Sequence, residues 1–373
     1  MERAKHTSEH LKSVVAHFQA WGDFVEAAPY GSGHINDTYQ VRARLAGTPV
    51  RYLLQRINHA IFKTPDRVME NIVRVTEHLQ RKLAAVGDGE ASRKALTVVP
   101  SRDGQPFARD ADGNWWRMYL FIELARTYDI IESDRQAYEA ARAFARFQNL
   151  LSDLPAPRLH ETIPGFHNTL SRLQALDAAF AADVCGRKAE VAAEMDFVDA
   201  RREQCGRLLT RHAKGEIPER ITHNDTKINN VMLDDATGEG VCVIDLDTVM
   251  PGLALYDFGD MVRSATASAR EDERDLSKVG SRIEMFEALA RGYLSEADFL
   301  MPAEIEELVF SARLITMTIG IRFLTDYLAG DVYFKTHRPR QNLDRCRTQF
   351  QMVRSMEAQA DAMEKIVRGL RRQ

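Results

Sequence analysis

The chain has 373 residues, enough for two ordinary domains or one bilobal molecule. Its formal net charge is −4, from 50 basic and 54 acidic residues mixed along the length, so no Lys/Arg block offers a nucleic-acid surface. The polar N-terminus is unlike a secretory signal, and the longest apolar run (314–324) contains Arg322 and is too short to span a bilayer. Four scattered cysteines with no Cys-x-x-Cys pair favour reduced thiols over a disulfide or zinc framework. The expectation is a cytoplasmic globular protein without nucleic-acid or membrane partners.

The first third reads as strands with one helix. Short β-type runs at 24–28, 39–44 and 52–57 are separated by Gly31, Gly33, Asn36, Gly47 and Pro49. Thr64-Pro65-Asp66 has the composition of a helix start. Val68, Ile72, Val75, Leu79 and Leu83 then recur at helical spacing until Gly87. Further strands are expected at 95–99 and 115–122, around a turn at Asp112-Gly113. After Glu123 the character changes. Ser133 with Gln136 has the spacing of a capping box, opening a helix with the stripe Ala137, Ala140, Phe144, Phe147 and Leu151. From there the pattern is mostly helical, with a strand-rich interruption at 221–247. The expected fold is α+β and bilobal: a small antiparallel-sheet lobe over 1–121, a hinge at 122–129 and a larger, mainly helical lobe over 130–373.

The chemistry concentrates in that interruption. His223-Asn224-Asp225 follows an apolar lead-in, Asn230 lies five residues beyond Asp225, and Asp245 ends the apolar run Val241-Cys242-Val243-Ile244. Phosphoryl transfer needs a carboxylate to orient or deprotonate a hydroxyl, and an amide oxygen and a second carboxylate to hold Mg²⁺ against a polyphosphate. Asp225 is the candidate base, His223 a loop brace, and Asn230 and Asp245 the candidate metal ligands. In an extended segment Asp247 would share a face with Asp245, so either carboxylate could hold the metal. Gly31-Ser32-Gly33 lies between two expected strands, where backbone N–H groups can approach phosphate oxygens. By itself such a turn is ordinary in a hairpin.

His223-x-Asp225-x-x-x-x-Asn230 with Ile244-Asp245 resembles the aminoglycoside phosphotransferase and choline kinase superfamily, whose fold is protein-kinase-like. Gly33-His34-Ile35-Asn36, Thr226-Lys227, Asp247-Thr248, Met250-Pro251-Gly252, Asp257-Phe258-Gly259-Asp260 and Arg322-Phe323-Leu324 look like its N-acetylhexosamine 1-kinase branch. The resemblance implies an ATP- and Mg²⁺-dependent kinase acting on the anomeric hydroxyl of an N-acetylhexosamine. It sets Phe121-Ile122-Glu123 where the hinge holds adenine through backbone groups. One departure stands out. Such folds commonly carry a third-strand lysine or arginine for the phosphates, whereas here that strand reads Leu53-Leu54-Gln55-Arg56, with either Gln55 or Arg56 facing in. Glu70 or Glu77 of the following helix could brace that strand.

Candidates for the sugar site are Asp225, Arg322, His167, Arg172, His34 and Phe258. Arg322 stands in an apolar helix, where a lone charge needs a partner such as Asp260 or Asp326. Asp257 reads as an anchor for the catalytic loop. Alternatives are a kinase of the same fold acting on choline, an amino alcohol, an aminoglycoside or another sugar, and a non-catalytic nucleotide-binding pseudokinase.

Overall fold

Period-two alternation in the N-terminal third builds an antiparallel sheet, seen here in a computed structural model that describes residues 6–31 and 35–371. Ser32, Gly33 and His34, three of the expected site residues, lie outside the described residues. The strands are β1 (Asp23–Pro29), β2 (Asp37–Leu45), β3 (Thr48–Ile57), β4 (Val98–Val99), β5 (Ala108–Arg109) and β6 (Trp115–Leu120). They run in the order β1-β2-β3-β6-β4, with β5 also on β6. A two-residue turn, Ala46 (φ 49) and Gly47 (φ 87), joins β2 to β3, the left-handed pair that matches strand twist.

The two faces of this sheet have different neighbours. Tyr39, Val41, Tyr52, Leu54, Trp116 and Met118 form an outer core with Leu11, Val14 and Val15 of helix α1 (Ser8–Val15). The alternate positions, including Gln55 and Arg117, which are paired in register, turn the other way, towards the second lobe. Helix α2 (Pro65–Ala85) buries its whole expected stripe there. Thr64 stands at its N-cap, but its hydroxyl makes no capping bond. Asn71 docks α2 on the second lobe. Its Nδ2 donates to the carbonyls of His160 (2.8 Å) and Val249 (3.0 Å), and its Oδ1 accepts from His160 N–H (2.9 Å). Glu70 pairs with His160 at 2.8 Å and so does not brace β3. The strand expected at 95–99 shortens to β4, because helix α3 (Ala91–Lys94) precedes it.

A strand β7 (Ala125–Arg126) leads into α4 (Asp134–Leu150), whose stripe is buried throughout. Ser133 Oγ accepts from Gln136 N–H at 3.2 Å, while Gln136 Oε1 accepts from Glu132 N–H at 2.8 Å, one residue before the box would place it. Helices α5 (Thr169–Ala182), α6 (Ala192–Asp199) and α7 (Arg207–Ala213) follow. Next come β8 (Arg220–Thr222), β9 (Val231–Asp234), β10 (Gly240–Val243) and β11 (Met250–Gly252). These pair as β10-β9-β7 and β11-β8. The chain ends in α8 (Ala254–Ala265), α9 (Ile283–Leu294), α10 (Pro302–Glu306), α11 (Leu308–Leu328), α12 (Gln341–Ala358) and α13 (Ala360–Leu370). By length and composition α11 could cross a membrane, but 78% of its apolar window is buried inside the protein. It packs against α5, α8 and α12 as the central helix of the second lobe.

Gly292 of α9 marks the tightest helix approach. A Cβ there would stand 2.1 Å from the Tyr138 carbonyl oxygen of α4. A backbone atom cannot turn aside as a side chain can, so Gly292→Ala must push the two helices apart. Overpacking of this kind costs about 1–3 kcal/mol, which exceeds the roughly 1 kcal/mol that alanine gains in helix propensity. Chemical denaturation of the variant should show a net loss of stability.

Candidate active site

The β8–β11 pair delivers the polar loop that begins at His223. Asp257, in the first turn of α8 and fully buried, holds this loop by its backbone. Its two oxygens accept the N–H groups of His223 (2.8 Å) and Asn224 (2.7 Å). Gln148 Nε2 adds a third donor at 2.6 Å, and Tyr293 O–H donates to Gln148 in turn. Burial pushes the Asp257 carboxyl up to about 7, against the pull of these donors. Asn224 adopts a left-handed conformation (φ 66) and its Nδ2 donates to Thr248 O at 2.9 Å. Thr226 N–H donates to Asp260 at 3.0 Å, and Arg263 Nε donates to the same carboxylate at 2.8 Å.

His223 is buried between the rings of Phe144 and Phe147. Its Nε2 donates to Ile244 O at 2.9 Å, and its Nδ1 accepts the Asp225 N–H at 3.3 Å. Burial lowers its pKa, so the ring is a neutral brace with both nitrogens spent. The Asp225 carboxylate stands at the open side of the loop. Lys227 Nζ lies 2.8 Å from Oδ1, and Asn230 Nδ2 donates to Oδ2 at 3.1 Å. Burial works to raise the Asp225 carboxyl, but the Lys227 ammonium outweighs it and the net shift is downward. Asp225 is therefore an anion at neutral pH.

Asp245 and Asp247 do not share a face. The strand stops at Val243, Asp245 is left-handed (φ 59), and a 3₁₀ turn covers Leu246–Thr248. Asp245 keeps an edge exposed to solvent. Desolvation of its carboxyl by the surrounding protein, then the charges of Asp247 and Asp225, push it up to about 7. Asp247 is buried and both its oxygens are engaged. Arg117 pairs with Oδ1, and Asn36 Nδ2 donates to Oδ2 at 2.6 Å. The expectation that Asp247 could serve as a metal ligand is corrected on this ground. Asn230 spends its amide N–H₂ on Asp225, leaving its oxygen available. Asp245 and Asn230, beside the Asp225 anion, form a set of hard oxygen donors that fits Mg²⁺.

The first lobe supplies Gly31, exposed and left-handed (φ 78) at the end of β1. Gln55 faces inward, its Nε2 donating to Thr38 Oγ1 at 3.0 Å and its Oε1 accepting from Arg117 Nε at 2.9 Å. Arg56 lies on the outer face, where its Nε donates to Asp37 at 2.7 Å. Strand alternation therefore removes Arg56 from the phosphate side. Phe121 is half-buried with its ring under Arg51, and Ile122 is buried. The Glu123 side chain pairs outward with Arg51, and its carbonyl accepts from Arg93 Nε at 3.0 Å.

Three of the expected acceptor residues gather at Phe166. Arg322 stacks over Phe166, Tyr333 and Phe334, with centroids at 5.0, 5.7 and 5.4 Å. Its expected counterions are engaged elsewhere: Asp260 holds Thr226 and Arg263, and Asp326 caps the amides of 332–334. Burial lowers its pKa, and the charges of Arg263 and Asp225 reach it. Arg172 donates to Phe166 O at 3.0 Å, leaves its buried Nε unpartnered, and is depressed by burial and by Arg322. His167 donates from Nε2 to Asn224 O at 3.0 Å and leaves Nδ1 buried and unpartnered. A cavity of about 210 Å³ beside the loop is lined by His167, Asn224, Pro251 and Tyr256, and also by Glu161 and Glu219, both paired with Arg158. Phe258 is not part of this group. It is wholly buried against Phe286 and Tyr293, on the core side of α8.

Arg117 and Asn36 were not anticipated as partners of the loop. The available signal for Arg117 was a single charge inside the aromatic and apolar strand Trp115–Leu120, a position that demands a buried partner.

Residues 26–299 match the model of a phosphotransferase enzyme family, APH. Among solved structures, the chain is similar to an aminoglycoside phosphotransferase from Alicyclobacillus acidocaldarius subsp. acidocaldarius DSM 446. The identity is 14%, the match covers 100% of this chain and 97% of that one, and the TM-score is 0.56. It is also similar to spectinomycin phosphotransferase APH(9)-Ia in complex with ADP and spectinomycin (13% identity, 95% and 99% covered, TM-score 0.57). A third similar structure is choline kinase from Cryptosporidium parvum Iowa II (15% identity, 90% of each chain, TM-score 0.51). The shared property at these identities is the fold, a mixed α+β architecture with an N-terminal antiparallel sheet and a helical remainder.

His167 gives the site a defined acid sensitivity. Burial holds its pKa below the ordinary 6.5, at about 4. The fold favours the neutral ring, so this stabilisation is complete above pH 6.5 and is lost as pH falls towards 4. The loss at pH 4.5 is about 2–3 kcal/mol relative to neutral pH. Between pH 7.5 and 4.5, urea unfolding of His167→Asn should therefore lose less stability than the unaltered chain, by about that amount.

Proposed function

The chain belongs to the phosphotransferase enzyme family, and from that premise we propose that it is an ATP- and Mg²⁺-dependent sugar kinase. Its acceptor is the anomeric hydroxyl of an N-acetylhexosamine, and its product a hexosamine 1-phosphate. The observation that carries the acceptor class is the pair of arginines gathered at Phe166, beside the cavity. Arg172 and Arg322 stand there without a carboxylate partner among the described residues. A cationic acceptor such as choline needs acidic groups or an aromatic cage left free for it, and here the rings of Phe166, Tyr333 and Phe334 already hold a guanidinium. A neutral sugar offers hydroxyl and amide-carbonyl oxygens to guanidinium donors, and unpartnered donors reject acceptors that cannot engage them.

In this reading Asp225 accepts or orients the proton of the attacking hydroxyl, which its ionised state allows. Lys227 and Asn230 fix its two oxygens. Asn230 and Asp245 would hold Mg²⁺, which supplies charge neutralisation at the polyphosphate when bound. His223 keeps the loop in shape. Gly31 lies on the phosphate side, and 121–123 borders the adenine. The ADP complex of a similar phosphotransferase supports nucleotide use.

A coupled kinase assay across N-acetylhexosamines, free hexoses and choline tests the acceptor class. Turnover with an N-acetylhexosamine and none with choline is expected, and the reverse order defeats the reading. Asp225→Asn should lower kcat by about 10²–10⁴-fold while ADP binding persists. Arg322→Ala should raise KM for the sugar by about tenfold or more and leave KM for ATP little changed.

A further inference from the structure

The inward cation of the third strand, Arg51, is spent on Glu123 and Phe121 at the far end, so none stands at the Gln55 position, yet a cation stands beside it. Gln55 occupies the inward position of β3, and its register partner on β6 is Arg117. The two side chains are joined, Arg117 Nε donating to Gln55 Oε1 at 2.9 Å. Arg117 then crosses to the second lobe and pairs through NH1 with Asp247 Oδ1. It is 1% exposed, so this charge is fully desolvated. Asp247 has Asn36 on its other oxygen at 2.6 Å, and it lies two residues from Asp245. Gln55 is itself tethered to Thr38 of β2 at 3.0 Å. The cation is therefore held from three sides: β2 through Gln55, its own strand β6, and the loop that carries Asp245.

We propose that Arg117 is the phosphate-side positioning residue of this enzyme, delivering from β6 the positive charge that a third-strand lysine would otherwise supply. Resting on the ATP reading, the assignment concerns charge and placement, because the guanidinium is buried beneath the cleft. A fixed cation close to Asp245 offsets the three carboxylates Asp225, Asp245 and Asp247. It allows a polyphosphate to approach a region that Lys227 alone would leave strongly negative. The fork geometry suits arginine, which can hold Gln55 and Asp247 at once, where a lysine ammonium on β6 would be a point charge.

The test is binding of adenosine and of Mg²⁺-ADP to the full chain by calorimetry. The phosphates feel the Arg117 charge and the nucleoside does not. Arg117→Met leaves Asp247 as a buried, unpaired anion, so Arg117→Met is combined with Asp247→Asn to keep the chain folded, with Asp247→Asn alone as the control. The expected result is unchanged adenosine affinity in all forms. Removing the Asp247 charge should raise ADP affinity in Asp247→Asn, and removing the Arg117 charge as well should lower it again, by about tenfold or more relative to that control. Adding Gln55→Lys to the double variant, which restores a cation from the third strand, should recover most of that loss. Equal ADP affinity in the control and the double variant overturns the proposal. So does a parallel loss of adenosine and ADP in folded protein, or no recovery with Gln55→Lys. If the unaltered chain binds neither adenosine nor ADP, the nucleotide reading itself fails.

Discussion

The loop that carries the chemistry keeps its shape because one buried carboxylate accepts its backbone. Asp257 takes the N–H groups of His223 and Asn224 on separate oxygens, with Gln148 as a third donor. A carboxylate buried without partners would cost several kcal/mol. Three donors offset that cost, and the penalty for losing any of them is what makes the arrangement rigid. The left-handed Asn224 can persist only while both neighbouring amides are held. Asp225, the next residue, then has its N–H fixed by His223 and its carboxylate aimed outwards.

The same logic separates two acids that look equivalent in sequence. Asp245 and Asp247 differ in everything that decides metal binding. The first is exposed at a left-handed position, with its oxygens open. The second is buried under Arg117 and Asn36. A desolvated carboxylate already bridged by a guanidinium cannot take a divalent ion without leaving that guanidinium unpaired. Asp247 therefore acts on the site through position, by holding the turn that begins at Asp245.

Short-range pattern was readable and long-range pairing was not. Alternation in β2 and β3, and the 3.6-residue stripe of α4, follow from which side chains must be buried, so the sheet and the main helices could be drawn from sequence. His223, Asp225, Asn230 and Asp245 fall within one short stretch of chain, so their spacing was informative. Asn36 and Arg117 reach Asp247 across 211 and 130 residues, and no local spacing encodes such a contact. The expected shared face of Asp245 and Asp247 failed because a single left-handed residue ends the strand period. Phe258 failed for a related reason. It follows Asp257 by one residue, and one residue on a helix is a rotation of about 100°, enough to turn it from the loop into the core.

The segment 247–250 is where these contacts meet. Asn36 and Arg117 of the first lobe grip the Asp247 carboxylate, and Asn71 of α2 donates to Val249 O. From the second lobe, Thr162 donates to Asp247 O, Asn224 to Thr248 O and Thr222 to Met250 O. Strands of the first sheet, helix α2, the loop that begins at His223 and the segment at Thr162 all terminate on four consecutive residues. Backbone carbonyls fixed in this way cannot move independently, so a rotation of one lobe against the other must shift or break this segment as a unit. Asp245 sits immediately before it and Asn224 is bonded to it. The distance between the Asp245 and Asp225 carboxylates is therefore set by the same few hydrogen bonds that hold the lobes together.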